Sequence, residues 1–384
     1  MNFVFISPHF PPTFFNFCVE LKKAGANVLA IGDASYQEFR QELKDSLTEY
    51  CKIDMLNYEK VYRTIAYFAS KYGRIDRIDS QNEYWLDLEA KLRVDFNIFG
   101  QKPEDLKVNQ SKLGMKKIFK AAGVPCADAI LVANPDILDE FVKKHGYPLI
   151  IKPDKGMGAA NTYKINNEWE LSEVLKDLPP GYVAEPFVKG KIVTFDGLVD
   201  KSGDIMFYSS FELSDNVLDI LTNKKDMYYY YTRDIPDQLV KYGRRVVKGF
   251  NLKERFFHCE FFRRHDGQHM ALEINVRPPG GFSLDMQNYS CDIDLYKAWA
   301  KLVVNGKDTL KYDRKFNVSN VSRRDHISYV YSKENIFEKL GNIVVEYTRI
   351  PEAFAEAMGN DTYLLRHENL DVLHDAINLV RATN

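Results

Sequence analysis

Glu273-Ile274-Asn275-Val276-Arg277-Pro278-Pro279-Gly280-Gly281 is the stretch whose reading decides the fold. Its first half alternates, so Glu273, Asn275 and Arg277 share one face of a strand while Ile274 and Val276 take the other. Two prolines and two glycines then stop the strand, because proline cannot donate to a ladder and glycine permits a sharp exit. One strand upstream, His258-Cys259-Glu260-Phe261-Phe262 leads through Arg263 and Arg264 to Asp266-Gly267, a hairpin turn signal. Folding that hairpin sets Glu260 beside Glu273. Two carboxylates and an amide oxygen on neighbouring strands, with a guanidinium next to them, suit a hard cation that carries phosphate. The competing reading is a polar, surface-facing sheet.

The chain has 384 residues, 45% of them hydrophobic, enough for two or three domains. Its formal charge of -2 is nearly balanced, and the basic pairs Arg244-Arg245 and Arg263-Arg264 are too small to read as a nucleic-acid or membrane surface. The five cysteines are dispersed, odd in number and form no CxxC, which argues against a disulfide framework or zinc site and for a reducing compartment. The start, Met1-Asn2-Phe3-Val4-Phe5-Ile6, lacks a basic leader and does not read as a signal peptide. No apolar run reaches the roughly eighteen residues of a membrane span. A soluble, cytoplasmic protein is expected.

Along the chain, residues 3–6, a helix over 14–24 and a strand over 28–33 make a βαβ opening, hence a parallel sheet with a right-handed crossover. It lacks the GxGxxG fingerprint, which speaks against a nicotinamide oxidoreductase. Helices are expected at 58–72, 83–94, 113–122, 135–145 and 168–178, with strands at 75–79, 147–153 and 182–188. Glu83 falls just past a strand end, where α/β sheets bind ligands, although a first-turn helix acid reads the same way. After 191 strands dominate: 192–199, 205–212, 256–262 and 269–276, with a helix at 236–249. The run 225–232 holds four tyrosines, read as an edge strand or loop with a substrate cleft as the second choice. Helices at 292–304 and 369–381 and strands at 326–331 and 343–348 finish the chain, without internal repeats.

Four features occur in order. Ser111-Lys112 opens a helix that closes at Ala122-Gly123-Val124-Pro125. Lys152-Pro153 ends a strand ahead of the loop Gly156-Met157-Gly158-Ala159. Glu185-Pro186-Phe187-Val188 is followed by Gly190, and last come Glu260 and the Glu273–Pro278 run. In this order and spacing the sequence resembles the ATP-grasp superfamily, in its carboxylate–amine ligase (L-amino acid ligase-like) branch. The resemblance covers residues 1 to about 305, and the rest more loosely.

The resemblance implies an α/β and α+β fold: a Rossmann-like domain at 1–107, a linker helix and lid at 108–184, a nucleotide and metal subdomain with a mixed or antiparallel sheet at 185–309, and a C-terminal α+β extension at 310–384. ATP would lie between lid and sheet. Lys112 and Lys152 match the phosphate-contacting lysines, flexible point charges suited to phosphate oxygens. The 156–159 loop would turn backbone N–H groups towards the γ-phosphate. Glu185, with the backbone of Phe187 and Val188, matches the adenine contact. Glu260, Glu273 and Asn275 match ligands for two Mg²⁺ ions, with Mn²⁺ as a substitute, and Arg277 matches the arginine steadying the transferring phosphoryl group or acyl phosphate. Arg277 and Lys152 are thus the catalytic candidates, while Glu83, Arg277, Gly281 and Ser283 are secondary candidates for substrate contact. The sequence departs from the pattern at Lys191-Ile192-Val193, where relatives commonly carry a ribose-binding acid, and at Pro186. His258 is read first as a packing or hydrogen-bonding residue.

The implied reaction is ADP-forming activation of a small carboxylate or amino acid as an acyl phosphate, followed by capture by an amine. A homodimer through the N-terminal domain is expected, with no nucleic-acid or membrane partner. The alternatives are a bicarbonate-activating carboxylase or carbamoyl-phosphate-type enzyme, and a non-catalytic ATP-binding regulator.

Overall fold

The computed structural model describes residues 1–384 except 157–160, 215–227, 307–308, 351, 353–354 and 356–357. The chain begins with a four-stranded parallel sheet, ordered Glu49–Lys52, Asn27–Gly32, Asn2–Ile6 and Arg77–Asp79. The βαβ opening therefore pairs as its pattern requires, with helix Phe15–Lys23 crossing between the first two strands. Phe17, Cys18 and Leu21 of that helix pack against Leu295, Trp299 and Leu302, so a helix from far along the chain, Leu295–Asn305, seals this face. The edge strand Glu49–Lys52 shows no apolar alternation, which is why its sequence does not announce it.

A second sheet, antiparallel and four-stranded, is ordered Ile130–Leu131, Tyr182–Pro186, Leu149–Pro153 and Tyr163–Ile165. Helices Pro135–His145 and Glu168–Lys176 cover it through Leu138, Phe141 and Leu171. Asn134 caps the first of these by accepting from the Asp136 and Ile137 amides.

Among the described residues the third sheet has nine strands. Its path runs His269–Asn275, Arg255–Arg263, Lys191–Val199, Phe211–Leu213, Tyr228–Tyr231, Asn317–Arg323, Asp361–His367 and Val344–Arg349, with Ile205–Ser209 pairing alongside Lys191–Val199. Helix Asp237–Gly249 lies so close beneath it that a Cβ on Gly243 would stand 2.2 Å from the Phe195 ring. The strands after residue 310 thus continue this sheet rather than forming a separate layer.

Several local expectations change. The helix expected over 292–304 is Leu295–Asn305, which Asp294 caps at the Lys297 amide, and a further helix, Ser283–Cys291, precedes it and ends where Asp292 takes a left-handed φ of 52°. The strand placed at 326–331 lies upstream at Asn317–Arg323, wholly buried yet built from Asn, Val, Ser and Arg, so no period shows. The tyrosine run is no edge: Tyr228–Tyr231 pairs on both sides, with Phe211–Leu213 and Asn317–Arg323. Residues 225–227 of that run lie outside the described residues. Helix Pro103–Asn109 was not anticipated, and it runs through residue 107.

Candidate active site

The hairpin brings Glu260 directly opposite Glu273, and His258 opposite Asn275. Gly267 makes the turn at a φ of 79°, and a bulge after Glu260 re-aims the strand beyond it. Ile274 and Val276 are buried in the core beneath, so Glu273 and Asn275 are presented on the opposite face. Burial and the neighbouring Glu260 charge push the Glu273 carboxyl above its ordinary range, while Lys112 and Lys152 pull against them. Burial acts the same way on Glu260, but His258 and Arg277 outweigh it and hold Glu260 low. Two apposed carboxylates plus an amide oxygen are hard oxygen donors, which fits a magnesium ion sharing its shell with phosphate. Among the described residues no three His, Cys, Asp or Glu side chains gather into a cage. A cation here would therefore depend on a ligand's oxygens to complete its shell.

The lysines arrive from two directions. Lys152 ends the strand Leu149–Pro153 and Lys112 starts the helix Lys112–Ala121. Asp154 fastens the two elements: its carboxylate accepts from Ser111 Oγ at 2.8 Å and the Leu113 amide at 2.9 Å, and its carbonyl accepts from the Lys112 amide at 3.0 Å. Ser111 in turn caps the helix at the Gly114 amide. Burial, reinforced by the Lys152 charge, lowers the Lys112 ammonium, and Glu273 and Glu185 oppose it. Lys112 Nζ reaches the Gly156 carbonyl at 3.3 Å.

Glu185 is buried between two ammonium groups, Lys152 at 3.2 Å and Lys116 at 3.3 Å. Desolvation would raise its pKa, but Lys152 and then Lys116 reverse the sign and hold it below the usual carboxylate range. Lys116 was not singled out in the sequence, although it stands one helical turn after Lys112 on the same face.

Arg277 and Glu83, distant in sequence, meet: Nε and Nη2 each lie 2.9 Å from Glu83 Oε2, and Nη1 donates to the Pro278 carbonyl. With its amide nitrogen turned towards Glu83, Asn275 donates to both carboxylate oxygens at 3.3 Å. Glu83, Lys112, Gly156, Glu273 and Asn275 line one cleft of about 370 Å³. Phe187 and Val188 line a second of about 580 Å³ with Arg264 and Met270. A larger cleft, about 730 Å³ around Asn97–Lys102 and Gly249–Lys253, collects none of the predicted side chains. Ser283 is buried and donates to the Gly280 carbonyl at 2.7 Å, so its hydroxyl shapes the loop carrying Gly281. Met157, Gly158 and Ala159 lie outside the described residues.

The elements on either side of Glu83 carry a buried ionic network. Asp79 ends the strand before it and Glu89 lies in the helix after it; both pair with Arg93 and Arg255 at 2.7–3.4 Å. Arg255 Nε also donates to the Val276 carbonyl at 2.6 Å, tying the network to the short segment between Asn275 and Arg277. Sequence patterning marked none of these four, since each looks like an ordinary surface charge.

No protein-family model matches the chain. By sequence it is 25% identical over 246 residues to the L-arginine-specific L-amino acid ligase of Bacillus subtilis, covering 59% of this chain and 59% of that protein. By structure it resembles the L-amino acid ligase of Bacillus licheniformis, with a TM-score of 0.77 and 15% identity over 98% of this chain and 96% of that one. It also resembles the N5-carboxyaminoimidazole synthetase of Staphylococcus aureus complexed with ADP, with a TM-score of 0.70 and 16% identity over 97% and 95% of the two chains. The chain has the ATP-grasp fold. In both sequence and structure, its likenesses include carbon–nitrogen ligases that act on amino acids. Among the described residues no helix is long and apolar enough to cross a membrane.

Proposed function

We propose that the protein is an ADP-forming carboxylate–amine ligase that activates a small acid or amino acid and joins it to an amine. The observation that carries this reading is the strand register placing Glu260 opposite Glu273, with Asn275 on the same face and Lys112 and Lys152 charges close enough to act on Glu273. The match to an L-arginine-specific L-amino acid ligase favours an amino acid among the substrates. The chain spans only 59% of that relative's length, so the choice of acid and amine is left to assay.

Glu185 and the Phe187–Val188 backbone would receive adenine, and Lys112, Lys152 and the 156–159 loop the phosphates. Glu260, Glu273 and Asn275 would hold two magnesium ions. Magnesium supplies charge neutralisation on the phosphates when bound. A substrate carboxylate oxygen attacks the γ-phosphorus, the bond to the β-phosphate oxygen breaks, and ADP leaves with that electron pair. The amine then attacks the acyl carbon, loses a proton and expels phosphate. Lys152 and Arg277 would stabilise charge as it develops on the transferring group. In the structure Glu83 occupies Arg277, so an incoming carboxylate or acyl phosphate must compete with Glu83 for that guanidinium. Once displaced, Glu83 is an acceptor beside the reacting centre. Covering the acyl phosphate by the 108–184 region would keep water away from it.

As working parts we take 1–107, 108–184, 185–309 and 310–384, the last two sharing one sheet. A homodimer through the first part and a cytoplasmic location complete the reading; the five cysteines are free.

The test is ADP and phosphate release with ATP, magnesium and a matrix of carboxylic acids, with and without amino acids. Release that needs both, with a new amide mass, supports the ligase. Bicarbonate-stimulated release without another acid supports the carboxylase alternative, and tight magnesium–ATP binding without turnover supports a regulator.

A further inference from the structure

We propose that His258 is a positioning residue that fixes the Glu260 carboxylate towards its cation, and that a buried polar chain behind it serves to hold the imidazole. The proposal rests on the magnesium–nucleotide reading above and deepens it. His258 and Glu260 alternate on one strand and share its face, and His258 Nε2 stands 3.1 Å from Glu260 Oε1. The other nitrogen, Nδ1, meets Asp196 Oδ1 at 2.7 Å across the ladder, where the two residues are direct register partners.

Asp196 is fully buried and further anchored. Its Oδ2 accepts from Thr194 Oγ1 at 2.7 Å and from the Tyr231 hydroxyl at 3.2 Å. Gln287 then donates to the Tyr231 hydroxyl at 3.1 Å and to Ser209 Oγ at 3.0 Å. Phe211 lies nearly parallel to the imidazole, centroids 5.8 Å apart and planes 20° apart. The chain thus runs from helix Ser283–Cys291, through three strands, to one candidate ligand oxygen.

A carboxylate buried this deeply costs several kcal/mol unless it is paired and hydrogen-bonded. Asp196 has the imidazole on Oδ1 and two hydroxyl donors on Oδ2, and the chain it belongs to leads to Glu260. Groups behind a ligand fix its orientation, and their loss typically weakens metal affinity about 10–100-fold. A bare core ion pair would need only Asp196 and His258. The contact from Nε2 to Glu260 is what the positioning role adds.

Two substitutions separate the contacts. An asparagine amide can replace Nδ1 and keep Asp196 satisfied but cannot reach Glu260, whereas a glutamine amide can replace Nε2. The experiment titrates Mn²⁺ by electron paramagnetic resonance into the ADP complex of wild type, His258→Asn, His258→Gln, Glu260→Gln and Glu273→Gln, with ADP affinity without metal measured by calorimetry. We expect His258→Asn to weaken Mn²⁺ by about 10-fold or more, to leave metal-free ADP affinity unchanged, and to stay folded at reduced stability. His258→Gln should recover most of the Mn²⁺ affinity. Wild-type Mn²⁺ affinity in His258→Asn, alongside its loss in Glu260→Gln, overturns the positioning role and leaves the ligase reading intact. Wild-type affinity in Glu260→Gln and Glu273→Gln alike overturns the metal site itself, and this proposal with it. Should His258→Asn not fold, Asp196→Asn carries the same comparison, and an unchanged Mn²⁺ affinity there is equally fatal.

Discussion

Glu185→Gln is the perturbation whose size the structure sets most directly. It keeps the shape of the side chain and removes the charge that two buried ammonium groups share, at 3.2 Å from Lys152 and 3.3 Å from Lys116. At an effective dielectric near 20, each attraction is worth about 5 kcal/mol before desolvation is subtracted. Desolvation of three buried charges consumes most of that, yet removing one partner of such a group costs about 3–5 kcal/mol because the others stay buried and unpaired. We therefore expect the nucleotide-free variant to lose about 3–5 kcal/mol of unfolding free energy. Saturating ATP should restore part of the loss, since its phosphates give Lys152 a new counter-charge. The assay is urea unfolding followed by tryptophan fluorescence, with and without nucleotide, beside calorimetric ADP binding. A midpoint equal to wild type without nucleotide would refute the pairing. A variant that binds ATP normally and is slow only in turnover would refute the adenine role.

Three further outcomes follow from the same geometry. Glu273→Ala and Lys152→Ala should each abolish ATP turnover while a circular dichroism melt stays cooperative; Lys152→Ala still leaves Lys116 on Glu185. Arg255→Met should cost about 3–5 kcal/mol in urea unfolding, because Asp79 and Glu89 lose a buried cation, and turnover should fall as the Val276 carbonyl loses its donor. Burial, helped by the Glu346 charge, raises the Asp285 carboxyl to about 7, above its unfolded value of 3.8. The folded state then holds a proton that the unfolded state releases, so this group's contribution declines as pH rises from about 4 to about 7. Asp285→Asn should flatten that decline and stabilise the protein at pH 8 by at most about 4 kcal/mol, read from unfolding curves at pH 4, 6 and 8; a decline unchanged by the substitution would sink the assignment.

Sequence by itself determined the elements whose cause is local. The βαβ opening, the helix at Tyr58–Tyr72 and the Glu260–Glu273 pairing follow from side-chain period and from turn chemistry at Asp266-Gly267, which act over a few residues. The lysines at a strand end and a helix start are visible for the same reason: position in an element is written in its neighbours. Tertiary structure alone decided what depends on contact across distance. Glu83 faces Arg277 across 194 residues, and Arg255 meets Asp79 across 176, pairings that no period encodes. Strand Asn317–Arg323 is hidden in a polar composition, because a strand buried on both faces has no wet side to mark it. The sequence likewise shows His258 as one more strand residue. Its reach from Asp196 to Glu260 exists only once strands Lys191–Val199 and Arg255–Arg263 lie side by side, since hydrogen bonds are made in space and not along the chain.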